Sequence, residues 1–151
     1  MQRNIFNQLI AEVKQTYSHK IPVKSMLKVT GSQDIYQAIL PNYPDIEYIE
    51  TFWVLLMNRG NRVLGIKHIS TGGISGTVVD VRIILQAALL ANSSGIVLIH
   101  NHPSGTLQPS SADMQITSKT KDAAKLMDIT VLDHIIFTLD MYYSFADEGV
   151  L

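Results

Sequence analysis

The sequence predicts an α/β domain in which a mixed sheet is sandwiched between helices. Three observations lead there. Ile96-Val97-Leu98-Ile99 is apolar on both sides, which suits a central strand covered on both faces. The runs Glu50–Met57 and Arg62–Ser70, joined by Asn58-Arg59-Gly60-Asn61, read as a hairpin. Stretches with apolar residues at helical spacing precede, separate and follow these runs, so helices pack against a sheet.

Taken in order, Ile5, Leu9, Ile10, Val13 and Tyr17 recur at helical spacing. They predict an amphipathic helix over Met1–Tyr17, broken by Pro22, with its apolar face on the sheet or on a partner chain. Val23–Val29 alternates loosely and reads as a short edge strand. Gly31-Ser32 opens a second helix carrying Ile35, Ala38 and Ile39, stopped by Pro41 and Pro44. After the hairpin, Gly72, Gly73 and Gly76 mark a loop. Asp80 caps a helix whose stripe is Ile83, Ile84, Ala87, Ala88 and Ala91, ending between Asn92 and Gly95. Ser110–Met127 predicts a further helix with Ala112, Ile116, Ala123, Ala124 and Met127 inward. Thr130–Thr138 and Met141–Phe145 close the chain as a hairpin around Leu139-Asp140.

A chain of 151 residues suits one domain with a core of its own. Cysteine is absent, which excludes disulfides, thiolate metal sites and a cysteine nucleophile. Net charge is −1 with scattered Lys and Arg, so no basic footprint for nucleic acid stands out. The apolar runs are too short to span a bilayer and the N-terminus has no charged-then-apolar pattern; a soluble cytoplasmic protein is the expectation.

The chemistry gathers at His100-Asn101-His102-Pro103-Ser104-Gly105 and Pro109-Ser110-Ser111-Ala112-Asp113. In a strand, residues i and i+2 face one way, so His100 and His102 project together and Asn101 points away. Pro103 and Gly105 turn the chain out of the sheet. Ser110 suits a helix N-cap, which puts Asp113 in the first turn, where the macrodipole favours its negative charge. Two imidazoles and a carboxylate brought together this way can hold Zn²⁺ and leave one position open, the arrangement of catalytic zinc. The plainer reading makes Ser110 and Asp113 a capping pair and the histidines structural. Hydrolysis also needs a base. Glu50 adjoins the strand and is the first choice, Glu47 the second; Asp45 lies on the same connector. Ser110 either caps its helix or donates to an oxyanion. Asn101 and Ser104 read as turn-stabilising residues.

The run His100-x-His102-Pro103, followed by Ser110-x-x-Asp113, resembles the JAMM signature of the MPN (JAB-type) metalloproteases. It resembles more narrowly the RadC family, whose members read His-Asn-His-Pro-Ser-Gly and then Pro-Ser-x-x-Asp. Gly76-Thr77, Asp133-His134 and Ser144-Phe145-Ala146-x-x-Gly149 extend the resemblance over roughly Ile46–Leu151. It implies an MPN domain over 46–151 with a layout related to the cytidine deaminases, preceded by an N-terminal helical extension over 1–45. It implies zinc on His100, His102 and Asp113, Glu50 as general acid/base, and Ser110 as oxyanion helper. The implied activity is cleavage of peptide or isopeptide bonds in a peptide or protein substrate. RadC-like proteins also carry a DNA-repair association. Longer members have an N-terminal helix-hairpin-helix portion, and the segment preceding this domain shows no such paired hairpins. Asp133-His134 has no assigned role beyond a structural pair or support of the metal from behind.

Three functions follow as expectations: a zinc-dependent metallohydrolase, a non-catalytic DNA-repair accessory with a structural metal, and a hydrolase of a small amide or nucleotide. Specificity would lie in Gly72–Thr77 and Ser104–Pro109. The amphipathic N-terminal stretch leaves room for a homodimer.

Overall fold

The computed structural model of the protein describes residues 10–73 and 77–151. Five strands form one sheet. In chain order the elements are α1 (Ser32–Ile39), β1 (Thr51–Met57), β2 (Val63–Thr71), α2 (Val81–Leu90), β3 (Gly95–Asn101), α3 (Ser111–Lys125), β4 (Thr130–Phe137) and β5 (Tyr142–Ser144). The strand order is β2-β1-β3-β4-β5, with β3 parallel to β4 and every other pair antiparallel. The sheet is therefore mixed, and β3 is central and buried along its whole length, as its two-sided apolar run requires.

Strand alternation sorts the core into two layers. Phe52, Val54, Leu56, Ile96 and Leu98 face Ile84 and Ala88 of α2 and Ala124 of α3. Leu55, Met57, Val97, Ile99, Ile135 and Phe137 face Ile35 of α1 together with Tyr43. Helices thus cover both faces of the sheet. The β1–β2 hairpin closes through Asn58, whose Oδ1 accepts from the backbone N–H groups of Gly60 and Arg62, while Asn61 takes a positive φ of 55°.

The structure departs from the sequence expectations at particular elements. Of the helix predicted over Met1–Tyr17, residues 1–9 lie outside the described residues, and 10–17 form no helix; Val13 is exposed and Tyr17 donates its hydroxyl to the Leu64 carbonyl of β2. Thr16, Tyr17, Ser18 and His19 are indifferent helix formers, and apolar spacing alone did not overcome that. The edge strand predicted over Val23–Val29 is a 3-10 turn at Val23–Ser25 followed by one bridge, Lys28 to Arg62. Pro22 opens that turn and Gly31 already starts α1, which leaves too few residues for a ladder.

Ile83 of the predicted α2 stripe is turned to solvent, the buried positions being Val81, Ile84 and Ala88. Ala112 on α3 and Met127, in the turn beyond its end, are exposed. The inward stripe is Asp113, Thr117, Thr120 and Ala124. That stripe is polar at its start because it meets the histidines rather than the apolar core. Gly76, one of the loop glycines, lies outside the described residues.

Candidate metal centre

The antiparallel register sets the end of β3 beside the beginning of β1, with Phe52 opposite His100. Alternation from Phe52 puts Glu50 on the same face as the histidines. The Phe52 ring stacks on the His100 ring, with centroids 5.7 Å apart. Beyond Asn101 the backbone turns: Gly105 N–H donates to the His102 carbonyl, and Gly105 adopts φ +80°, a conformation that a side chain would strain. The same turn brings the Thr106 carbonyl to His102 Nδ1 at 2.7 Å. Ser104 bonds Thr106 within it, so Ser104 shapes the turn, as expected.

α3 starts with a reciprocal cap. Ser110 Oγ accepts from the Asp113 N–H, and Asp113 Oδ2 accepts from the Ser110 N–H at 2.6 Å. This clamps the carboxylate toward the strand end. His100 Nε2 lies 2.9 Å from His102 Nε2 and 3.1 Å from Asp113 Oδ1, and His102 Nε2 lies 3.4 Å from Asp113 Oδ2. The three side chains predicted from the sequence do converge, and they can hold a metal ion.

The hydrogen bonds behind the rings fix their protons. Thr117 donates its hydroxyl to the Asp113 carbonyl, so its oxygen is left to accept from His134 Nδ1 at 2.6 Å. Burial holds the His134 imidazole well below its ordinary pKa, so it is neutral and its Nε2 is an acceptor. His100 Nδ1, 2.8 Å away, must then donate to it. His102 Nδ1 faces a carbonyl and must donate as well. Both histidines therefore turn a bare Nε2 lone pair toward the same point.

The carboxylate joins them there. Burial would raise the Asp113 pKa, but protonated His100 and His102 and the Ser110 N–H outweigh it and keep the group far below the usual carboxylate range, so the carboxylate is ionised against positive charge at this point. On His102, burial is outweighed by Asp113, the Thr106 carbonyl and Glu50, and the ring's proton affinity rises. With both rings neutral, three acceptors meet with no donor among them, an arrangement that calls for a cation in the proton's place. Tetrahedral zinc with ligand bonds of about 2.0–2.1 Å would space its donors about 3.3 Å apart, close to the separations present. The donor set fits that ion.

Sequence reasoning left His134 open between a structural pair and support of the metal from behind, and it missed Thr117. Thr117 lies four residues after Asp113, on the same helix face, which is the signal that was available. The His134 ring does not pair with its neighbour Asp133; of His134, only the backbone N–H donates to Asp133 Oδ1, at 2.7 Å. Alternation sends Asp133 to the opposite face, where it accepts from Ser144 Oγ and the Ala146 N–H. His134 acts from behind, through His100. Replacing His134 with Phe is expected to weaken metal affinity by about 10–100-fold, the usual cost of losing a ligand's outer partner. Titration of the apo protein with zinc against a competing chelator checks this.

A cleft of about 380 Å³ opens on the triad, lined by Glu50, Phe52, Thr77, His102, Ser110, Asp113 and Lys119 among others. Glu50 and Ser110 thus share one cavity with two of the three ligands, His102 and Asp113. Glu47 instead lines a second depression on the far side of His102, with Leu107, Asp140 and Met141. That separates the two candidate bases: Glu50 opens on the triad's cleft, whereas Glu47 does not line it. Among the described residues, no helix is long and apolar enough to cross a membrane.

Comparison with known proteins follows the same residues. The RadC-like JAB domain family matches residues 29–150. A UPF0758 protein of Flavobacterium johnsoniae is 44% identical over 128 residues, which is 85% of this chain and 56% of that protein. A UPF0758 protein of Porphyromonas gingivalis is 41% identical over 138 residues, covering 89% of this chain and 60% of the relative. One from Chlorobaculum parvum is 38% identical over 124 residues. The chain spans little more than half the length of the curated relatives it matches.

Proposed function

The chain belongs to the RadC-like JAB domain family, and from that premise we propose that it is a zinc-dependent hydrolase cleaving a peptide or isopeptide bond. The observation that carries this reading is the convergence of two bare Nε2 lone pairs and an ionised carboxylate beside a cleft that also holds a second carboxylate. A structural metal needs no such neighbour and no open cavity.

His100, His102 and Asp113 would hold the ion. Bound there, the ion would supply Lewis acidity, acidifying water and polarising a carbonyl. Glu50, in the same cleft, takes the proton of the attacking water and returns it to the departing amine nitrogen. Ser110 serves twice. Its oxygen accepts the Asp113 N–H, while its hydroxyl proton is uncommitted on the exposed side and can donate to the oxyanion formed at the scissile carbonyl. The capping and catalytic readings of Ser110 are therefore compatible.

The experiment is hydrolysis by zinc-loaded protein of fluorogenic peptides and of a lysine-isopeptide-linked substrate. Turnover that disappears with chelator and returns with zinc supports the reading. Full zinc loading with no amide hydrolysis, together with DNA binding that weakens steeply with salt, would replace it with the accessory role.

A further inference from the structure

Asn101 sits between the two histidines and, by strand alternation, faces the opposite layer. It is fully buried. Its side-chain N–H groups donate to the carbonyls of Ile46, at 2.8 Å, and Ile49, at 2.9 Å. Its Oδ1 accepts from the Thr51 backbone N–H at 2.8 Å and lies 3.2 Å from Thr51 Oγ1 and 3.1 Å from the Tyr43 hydroxyl. Trp53 Nε1–H reinforces the group by donating to Thr51 Oγ1. Every hydrogen-bonding site of the amide is used, and two of its three backbone bonds, to Ile49 and Thr51, bracket one residue: Glu50.

The connector before Glu50 needs such a hold. Residues 44–48 form turns rather than strand, closed by Tyr48 and Ile49 N–H groups on the Asp45 carbonyl. No ladder fixes Glu50 from its N-terminal side; its carbonyl accepts from Gly72 N–H on the other. The Asn101 amide supplies the missing constraint, and it does so from the backbone segment that presents both metal-binding imidazoles.

We propose that Asn101 is a positioning residue that couples the general base to the metal centre, locking the Glu50-bearing connector to the strand end between His100 and His102. A turn residue would need one or two of these bonds. Five polar contacts on one connector, spanning residues 43–51, serve to place what that connector carries. The proposal rests on the assignment of Glu50 as base. It extends that assignment by naming what holds the base in register.

The test uses zinc-loaded full chain in four forms: parent, Asn101→Ala, Glu50→Gln and the double variant. Asn101→Ala is expected to retain its zinc and KM while kcat falls about 100-fold, the order expected for a displacement of about 1 Å. In the Glu50→Gln background the same change is expected to cost nothing further, because the group being positioned is already gone. A zinc-loaded crystal structure of Asn101→Ala is expected to show the Glu50 carboxylate moved out of the cleft with the three ligands in place.

An equal kcat loss in both backgrounds, or an unmoved Glu50, would overturn the proposal. If Asn101→Ala does not fold, Tyr43→Phe removes one partner of Oδ1 and is read instead: a smaller kcat loss confined to the Glu50 parent supports the coupling, and an unchanged kcat refutes it. Should the parent hydrolyse nothing, the hydrolase reading fails on its own, and the Glu50 position in the variant crystal still decides what Asn101 does.

Discussion

Zinc-loaded Glu50→Gln is expected to keep its metal and lose turnover by about 10²–10⁴-fold, the range that a positioned acid/base contributes. The reasoning is geometric. Glu50 precedes β1 by one residue, the β1–β3 register sets Phe52 against His100, and alternation turns Glu50 to the histidine face. It then lines the cleft with His102, Ser110 and Asp113. Glutamine keeps the volume and the hydrogen-bonding shape but cannot carry a proton from water to a leaving amine. Because Glu50 is not one of the three converging ligands, zinc content is expected to stay at the parent level. Measuring zinc per chain and kcat on the same sample separates the two effects. Parent-level turnover in this variant would remove Glu50 from the mechanism.

Asp113→Ala is expected to abolish stoichiometric zinc binding while leaving a folded protein. The carboxylate completes a three-ligand set, and its loss leaves two imidazoles, so affinity should fall well beyond the roughly 100-fold lost with an outer partner. The cost to the fold is smaller. Asp113 also accepts the Ser110 N–H, so the change removes half of the reciprocal cap, an effect of about 1 kcal/mol. Ser110 Oγ can still accept the N–H of residue 113. The expected signature is therefore a modest change in the apo melting temperature and no melting shift on adding zinc, where the parent shows a clear one. A parent-sized zinc shift in Asp113→Ala would show that the ion binds elsewhere.

Much of the centre was legible in the sequence because it depends on short-range rules. His100 and His102 share a face by strand alternation, and Ser110 with Asp113 forms a cap by helix geometry; neither needs knowledge of the distant chain. The hairpin and the central strand were legible for the same reason, since β1, β2 and β3 each carry their own pattern. Glu50 was within reach because it touches a strand start.

What escaped or stayed undecided depends on pairings between distant segments. His134 supports His100 through the parallel β3–β4 register, across 34 residues of chain. Asn101 grips a connector 50–55 residues earlier. Hydrophobic spacing also aimed α3 wrongly at its two ends. A helix that opens onto a metal centre buries Asp113, Thr117 and Thr120, and an apolar stripe is the wrong thing to look for there. The N-terminal stretch shows the converse, with apolar spacing present in Ile10, Val13 and Tyr17 and no helix over the residues described.

Anomalous diffraction at the zinc edge from zinc-soaked crystals tests the centre most directly. One strong peak is expected per chain, about 2.0–2.2 Å from His100 Nε2, His102 Nε2 and an Asp113 carboxylate oxygen. A peak bonded through Nδ1 of either histidine, or its absence from the triad in crystals grown at saturating zinc, would contradict the proton arrangement and the metal centre built on it.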